Sequence, residues 1–180
     1  MMKKILISFC LFLLTVSITA QQKAVPAKEI LAATFKQATT ENKNILLLFH
    51  SSWCGWCHKM DSSINDPSCK KFFTDHYIIT HLVVHEFEEK KQLENAGADE
   101  LLKKYEAFDS GIPFWVVLDM NGNLLYDSFM KNAAGSTTII GCPASAEEVV
   151  TFVKNLKATS LLSEKELAVI TEVFRKNESK

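Results

Sequence analysis

Apolar positions alternate between two periods along this chain, and the alternation lays out its elements. Ile30, Leu31, Thr34, Phe35 and Ala38 recur at helical spacing, so a first helix is predicted from Pro26 to about Thr40, with Pro26 suited to its first turn. Glu41–Asn44 is a polar turn. The run Ile45–Phe49 is apolar at every position and too short for a helix, which reads as a buried strand. The residues after Cys57 suit a helix up to the Asn65–Pro67 break, and Asp66-Pro67 signals a further short helix carrying Cys69, Phe72 and Phe73. Tyr77–Val84 is rich in β-branched residues and reads as a strand.

The second half is punctuated differently. Residues 86–99 are charged and loop-like, and Ala98–Ala107 returns to helical spacing through Leu101, Leu102 and Tyr105. Phe114–Leu118 and Leu124–Tyr126 flank an Asn121-Gly122 pair, a strong hairpin signal, with Pro113 at the entrance where a missing N–H is tolerated. Lys131–Cys142 reads as a loop and Ala144–Leu156 as an amphipathic helix. Ser163 and Glu166 form a capping box that opens a last helix to about Lys176. The order α-β-α-α-β-α-β-β-α-α implies an α/β three-layer sandwich, with a central mixed sheet and helices on both faces.

Composition narrows the class. A formal net charge of −1 gives no electrostatic footprint for nucleic acid. Lys3 and Lys4 precede an apolar stretch, Ile5–Ile18, that is shorter than the ~20 residues of a membrane span. With Ala20 at the cut, residues 1–20 read as a secretory signal, leaving one domain over 21–180 that is periplasmic or secreted and free of the membrane. Four cysteines remain after such a cut: Cys54, Cys57, Cys69 and Cys142. Export sets them where disulfides persist, yet four are too few for a disulfide scaffold in a chain this long. Cys69 reads as a small buried hydrophobe and Cys142, in a loop before Pro143, as the more exposed; a disulfide between them is a further option.

The chemistry concentrates at Trp53-Cys54-Gly55-Trp56-Cys57. Two cysteines two residues apart, where a buried strand gives way to a helix, put Cys54 at the helix N-terminus. There the unpartnered N–H groups and the dipole favour a thiolate, by roughly 0.3–1 kcal/mol. The thiolate is the form that attacks disulfides, and Cys57 is placed to close a disulfide with it. Cys54–His58 is also formally a haem attachment motif, but a continuous apolar strand leads into it instead of a helical pocket. All five histidines, His50, His58, His76, His81 and His85, cluster around the cysteines in sequence, which raises a zinc or copper site. His81 and His85 stand at even spacing on one strand, so both are expected on one side, away from the motif or half-exposed. Ordinary polar roles are preferred for the histidines, and neither metal nor other cofactor is assigned.

Trp53–Cys57 after a buried strand, Ile112-Pro113 before an Asn-Gly hairpin, and a closing helix together resemble the thioredoxin superfamily. The Trp53–Met60 run and Asp66-Pro67 resemble its exported branch. The resemblance covers about residues 26–157, with a C-terminal helical extension over about 160–177. It implies a thiol–disulfide oxidoreductase in which Cys54 is the exposed nucleophile, Cys57 the buried resolving thiol, and Pro113 a cis-proline beside them. Trp53, Gly55, Trp56, Ile112 and Pro113 would contact the substrate. Partners would be client proteins with disulfides or thiols and a separate redox partner, met by a monomer. Three departures stand out. Leu48 replaces the buried acid that many thioredoxins carry six residues before the first motif cysteine, His81 stands where their lysine would be, and Trp56 replaces the proline between the cysteines. The alternative is a redox-inactive or metal-binding module on the same fold.

Overall fold

The computed structural model describes residues 23–132 and 134–178; the segment read as an export signal, residues 1–20, lies outside them. Four strands form a mixed sheet in the order β2-β1-β3-β4, with β1 at Asn44–His50, β2 at Tyr77–Val83, β3 at Phe114–Leu118 and β4 at Leu124–Asp127. β1 runs parallel to β2 and antiparallel to β3, and β3 pairs antiparallel with β4. The five central residues of β1 and all of β3 are buried because helices cover both faces.

Side-chain alternation divides the core in two. Ile45, Leu47 and Phe49, with Phe114, Val116 and Leu118, face helices α1 (Ala27–Glu41) and α4 (Ala98–Lys104). Leu46, Leu48, Trp115 and Val117 face the other way, onto α2 (Gly55–Ile64), α3 (Lys70–His76), α5 (Ala146–Thr159) and α6 (Glu164–Arg175). The architecture is the expected three-layer sandwich. The last helix is an integral part of it, contributing Leu167, Ile170, Val173 and Phe174 to the second core. Both terminal helices start from complete capping boxes, Ser145 with Glu148 and Ser163 with Glu166.

Several local expectations give way. Residues 131–142 are not all loop: β5 (Phe129–Lys131) and β6 (Thr137–Ile139) pair antiparallel as a separate small sheet. Their strands are too short to leave a clear alternating pattern. Within the charged stretch 86–99, Glu88–Leu93 winds into a 3-10 helix. The short helix after Asp66-Pro67 begins only at Lys70, with Cys69 as its N-cap residue, because Asp66 spends its carboxylate on the backbone N–H and hydroxyl of Ser68 in a preceding turn. The hairpin loop is longer than the Asn-Gly pair: Asp119 accepts from the N–H groups of Asn121 and Asn123 and bridges the turn.

Candidate active site

Cys54 and Cys57 are joined in a disulfide, with Cα atoms 5.2 Å apart. Cys54 is the N-cap of α2 in extended conformation, and its sulfur accepts the N–H of Cys57 at 3.1 Å. One of the orphan donors of the helix is therefore spent on sulfur, and in the reduced protein that N–H would meet a thiolate. The Ile112–Pro113 peptide is cis, as the resemblance implied, and its Ile112 carbonyl oxygen lies 3.7 Å from Cys54 Sγ. Cys54 and Ile112 are 58 residues apart in sequence and are brought together by the pairing of β1 with β3. Cys54 is only 3% exposed in this disulfide form, less than the exposed nucleophile the resemblance suggested. What surrounds it is open: Trp53 and Trp56 are each 46% exposed and flank the disulfide in sequence. Lys59 Nζ sits 4.4 Å above the Trp56 ring. A groove of about 230 Å3 runs beside the motif between Trp56, Pro113, Gly141 and Glu148.

The motif loop is held by a segment that sequence reasoning passed over. Ser51 Oγ donates to the Val84 carbonyl, and Trp53 Nε1 donates to the His85 carbonyl at 2.8 Å. The Trp53 ring also stacks on Phe87, centroids 5.2 Å apart. Between them, the buried carboxylate of Glu86 accepts from Ser52 N–H at 2.5 Å and from Ser52 Oγ at 2.9 Å. Three successive residues of the loop are thus tied to four that follow β2. Nothing in the sequence marked Glu86, since the bonds span 34 residues and the stretch reads simply as charged.

The histidines disperse. His81 and His85 do not share a side, and His81 is not turned away from the motif helix. His81 Nε2 is 2.7 Å from Asp61 Oδ1 on α2, and its ring meets that of His50 edge-on at 5.0 Å. His85 lies beyond the end of β2 with φ of 53°, which breaks the alternation and turns its ring onto Phe108, with Asp99 Oδ1 3.8 Å away. His58 contacts the Ser52 carbonyl at 3.0 Å. Burial lowers the His50 pKa, and the neighbouring His81 charge lowers it further. Burial works against the Asp61 carboxylate, but the hydrogen bond and charge of His81 hold its pKa below the ordinary value. Among the described residues no group of three or more His, Cys, Asp or Glu side chains could hold a metal ion. Leu48, at the position of the family's acid, is 2% exposed and pairs in register with His81.

Cys69 and Cys142 are not disulfide-bonded to each other, and Cys142 is not the exposed residue its loop suggested: both are buried free thiols. Burial pushes Cys69 up to about 11 and Cys142 up to about 12. The reason for Cys142 is tertiary. Helices α5 and α6 close over its loop, and Asn177 Nδ2 donates to its sulfur at 3.4 Å.

A family model described as thioredoxin-like matches residues 27–120. No curated protein matches the chain. Among solved structures, a disulphide isomerase from Xylella fastidiosa Temecula1 is similar over 60% of this chain and 77% of its own, at 21% identity and a TM-score of 0.48. A DsbH oxidoreductase is similar over 75% of this chain and 87% of its own, at 25% identity and a TM-score of 0.45. The C-terminal domain of DsbD from Neisseria meningitidis, in its oxidised form, is similar over 59% of this chain and 84% of its own, at 19% identity and a TM-score of 0.41.

Proposed function

The chain belongs to the thioredoxin-like family, and from that premise we propose that it is an exported thiol–disulfide oxidoreductase acting on protein disulfides through Cys54 and Cys57. The observation that carries the proposal is the Cys54–Cys57 disulfide capping α2, with the N–H of Cys57 on Cys54 Sγ and Ile112-Pro113 alongside. In the reducing direction, the Cys54 thiolate attacks a client disulfide, forming a mixed disulfide and releasing one client thiolate. Cys57, deprotonated, then attacks Cys54 Sγ, which releases the second client thiolate and re-forms Cys54–Cys57. Two electrons pass to the client, and the two protons from Cys54 and Cys57 end on its thiols. The reverse sequence oxidises a client dithiol, and the same atoms serve it. Trp53, Gly55, Trp56, Ile112 and Pro113 are the residues assigned to client contact, on the strength of the two half-exposed indoles beside the disulfide. No bound cofactor enters the scheme.

Export is supported by the pattern of residues 3–20. No described helix is long and apolar enough to cross a membrane. The proposed unit is residues 21–180, monomeric, in the periplasm or outside the cell, with a separate protein returning it to its starting redox state. In the test, Cys57→Ala accumulates mixed disulfides with client proteins and Cys54→Ala accumulates none. Equal trapping by the two variants would overturn the roles, and failure of the wild type to cycle with dithiothreitol would overturn the function.

A further inference from the structure

Glu86 stands out as a buried carboxylate, 3% exposed, that the exchange scheme leaves unused. Burying a carboxylate is costly unless it is hydrogen-bonded, and this one is bonded to the chain two residues before Cys54. We infer that Glu86 is a positioning residue for Cys54: it fixes the Ser51–Trp53 loop and sets the local field in which the Cys54 thiolate forms. This rests on the reading of Cys54 as the nucleophile.

The geometry supports both halves of the inference. Ser52 N–H and Ser52 Oγ both point at the Glu86 carboxylate, while the residues on either side of Glu86 hold Trp53. His85 has a left-handed φ of 53°, uncommon for a non-glycine residue, and in that conformation its carbonyl accepts from Trp53 Nε1. Glu86 is itself held, since its N–H donates to Glu94 Oε1 at 2.7 Å. The loop therefore cannot shift without breaking several bonds together. For the field, the titratable and charged groups facing Glu86 and its loop are Lys90, whose Nζ reaches Ser52 Oγ at 3.2 Å, Glu94 behind it, His50 from β1 and His58 from α2. A carboxylate bonded to the residue two before Cys54 opposes the thiolate that the helix N-terminus favours, and Lys90, which reaches the same Ser52 hydroxyl, offsets it. The site would tune Cys54 by these two opposed charges.

The experiment measures alkylation of Cys54 against pH in the reduced full-length protein, together with the rate of exchange with a peptide disulfide. Glu86→Gln keeps an acceptor for Ser52 N–H and removes the charge, so the thiolate fraction of Cys54 at pH 6 is expected to rise about threefold to tenfold. Lys90→Gln, at an exposed position, is expected to lower it by a similar factor. Glu86→Ala releases the loop and is expected to slow exchange about tenfold at pH 9, where the thiolate is formed, while Glu86→Gln keeps the wild-type rate there. An unchanged alkylation profile in both charge variants, or a fall with Glu86→Gln, overturns the inference. Because alkylation reads the thiol directly, that failure is distinct from a wild-type protein that does not cycle with dithiothreitol, which would overturn the proposed function instead.

Discussion

Two pairs of cysteines share this fold and are made chemically opposite by their surroundings. Cys54 and Cys57 sit where β1 hands over to α2, and the backbone there offers an N–H to sulfur. Cys69 and Cys142 lie in the core beneath α5 and α6, where burial raises both thiols to about 11 and 12. The first pair is bonded; the second is free. Solvent exposure does not separate them, since all four are at most 5% exposed. The difference lies in what each sulfur is offered. Cys54 and Cys69 are both N-cap residues, but only Cys54 Sγ accepts a helix N–H, whereas Cys69 Sγ donates to the Ser63 carbonyl at 3.2 Å. A helix N–H on sulfur stabilises a thiolate, and an apolar core stabilises a thiol.

The largest effect should come from deleting one pair at a time. Cys54→Ala is expected to reduce exchange with a peptide disulfide to background, while Cys69→Ala/Cys142→Ala retains it within about twofold. A comparable loss in the second variant would mean that the core cysteines take part in the reaction. Reactivity gives a finer measure. In the reduced protein at pH 8, Cys69 and Cys142 should be alkylated at least about a hundredfold more slowly than a free thiol with a pKa near 8.5, as mass spectrometry of peptides can show.

Stability sharpens the contrast from the core side. Asn177 Nδ2 donates to Ser63 Oγ at 2.9 Å, to the Pro143 carbonyl at 3.2 Å and to Cys142 Sγ at 3.4 Å, joining α2, the Cys142 loop and the end of the chain. Asn177→Ala should cost about 1–2 kcal/mol by denaturant titration, with alkylation of Cys142 accelerated. The smallest effect is in pH dependence. Folding raises the pKa of both core thiols above their unfolded value near 9, so their contribution is fully present below pH ~9 and is lost as pH climbs toward 11 and 12. The buried phenols of Tyr77 and Tyr105 are raised by burial too and fail in the same direction. The midpoint of Cys69→Ala/Cys142→Ala should therefore fall less steeply between pH 9 and 11 than that of the wild type; equal slopes would remove the thiols from the account.

Legibility in the sequence tracked the range of the interaction. The Ile45–Phe49 strand, the capping boxes at Ser145 and Ser163, and the spacing of Cys54 and Cys57 depend on neighbours within a few residues and could be read directly. The face of His85 could not, because the alternation that held for His81 ends with β2 and a left-handed residue follows. Cys142 was read as a loop residue, and its loop is real; its burial depends on α6, which arrives more than twenty residues later.

The sequence by itself determined the six α-helices, the four strands of the main sheet and the redox motif at a strand–helix junction, because hydrophobic period, turn chemistry and caps are local. Only the tertiary structure decided what each polar group would meet. β1 and β3 had to pair before Ile112 could reach Cys54, and β1 and β2 before Glu86 could reach Ser52. The physical reason is that a buried carboxylate or thiol takes its properties from its hydrogen-bond partners and its distance from water, and the chain sets both only when it folds.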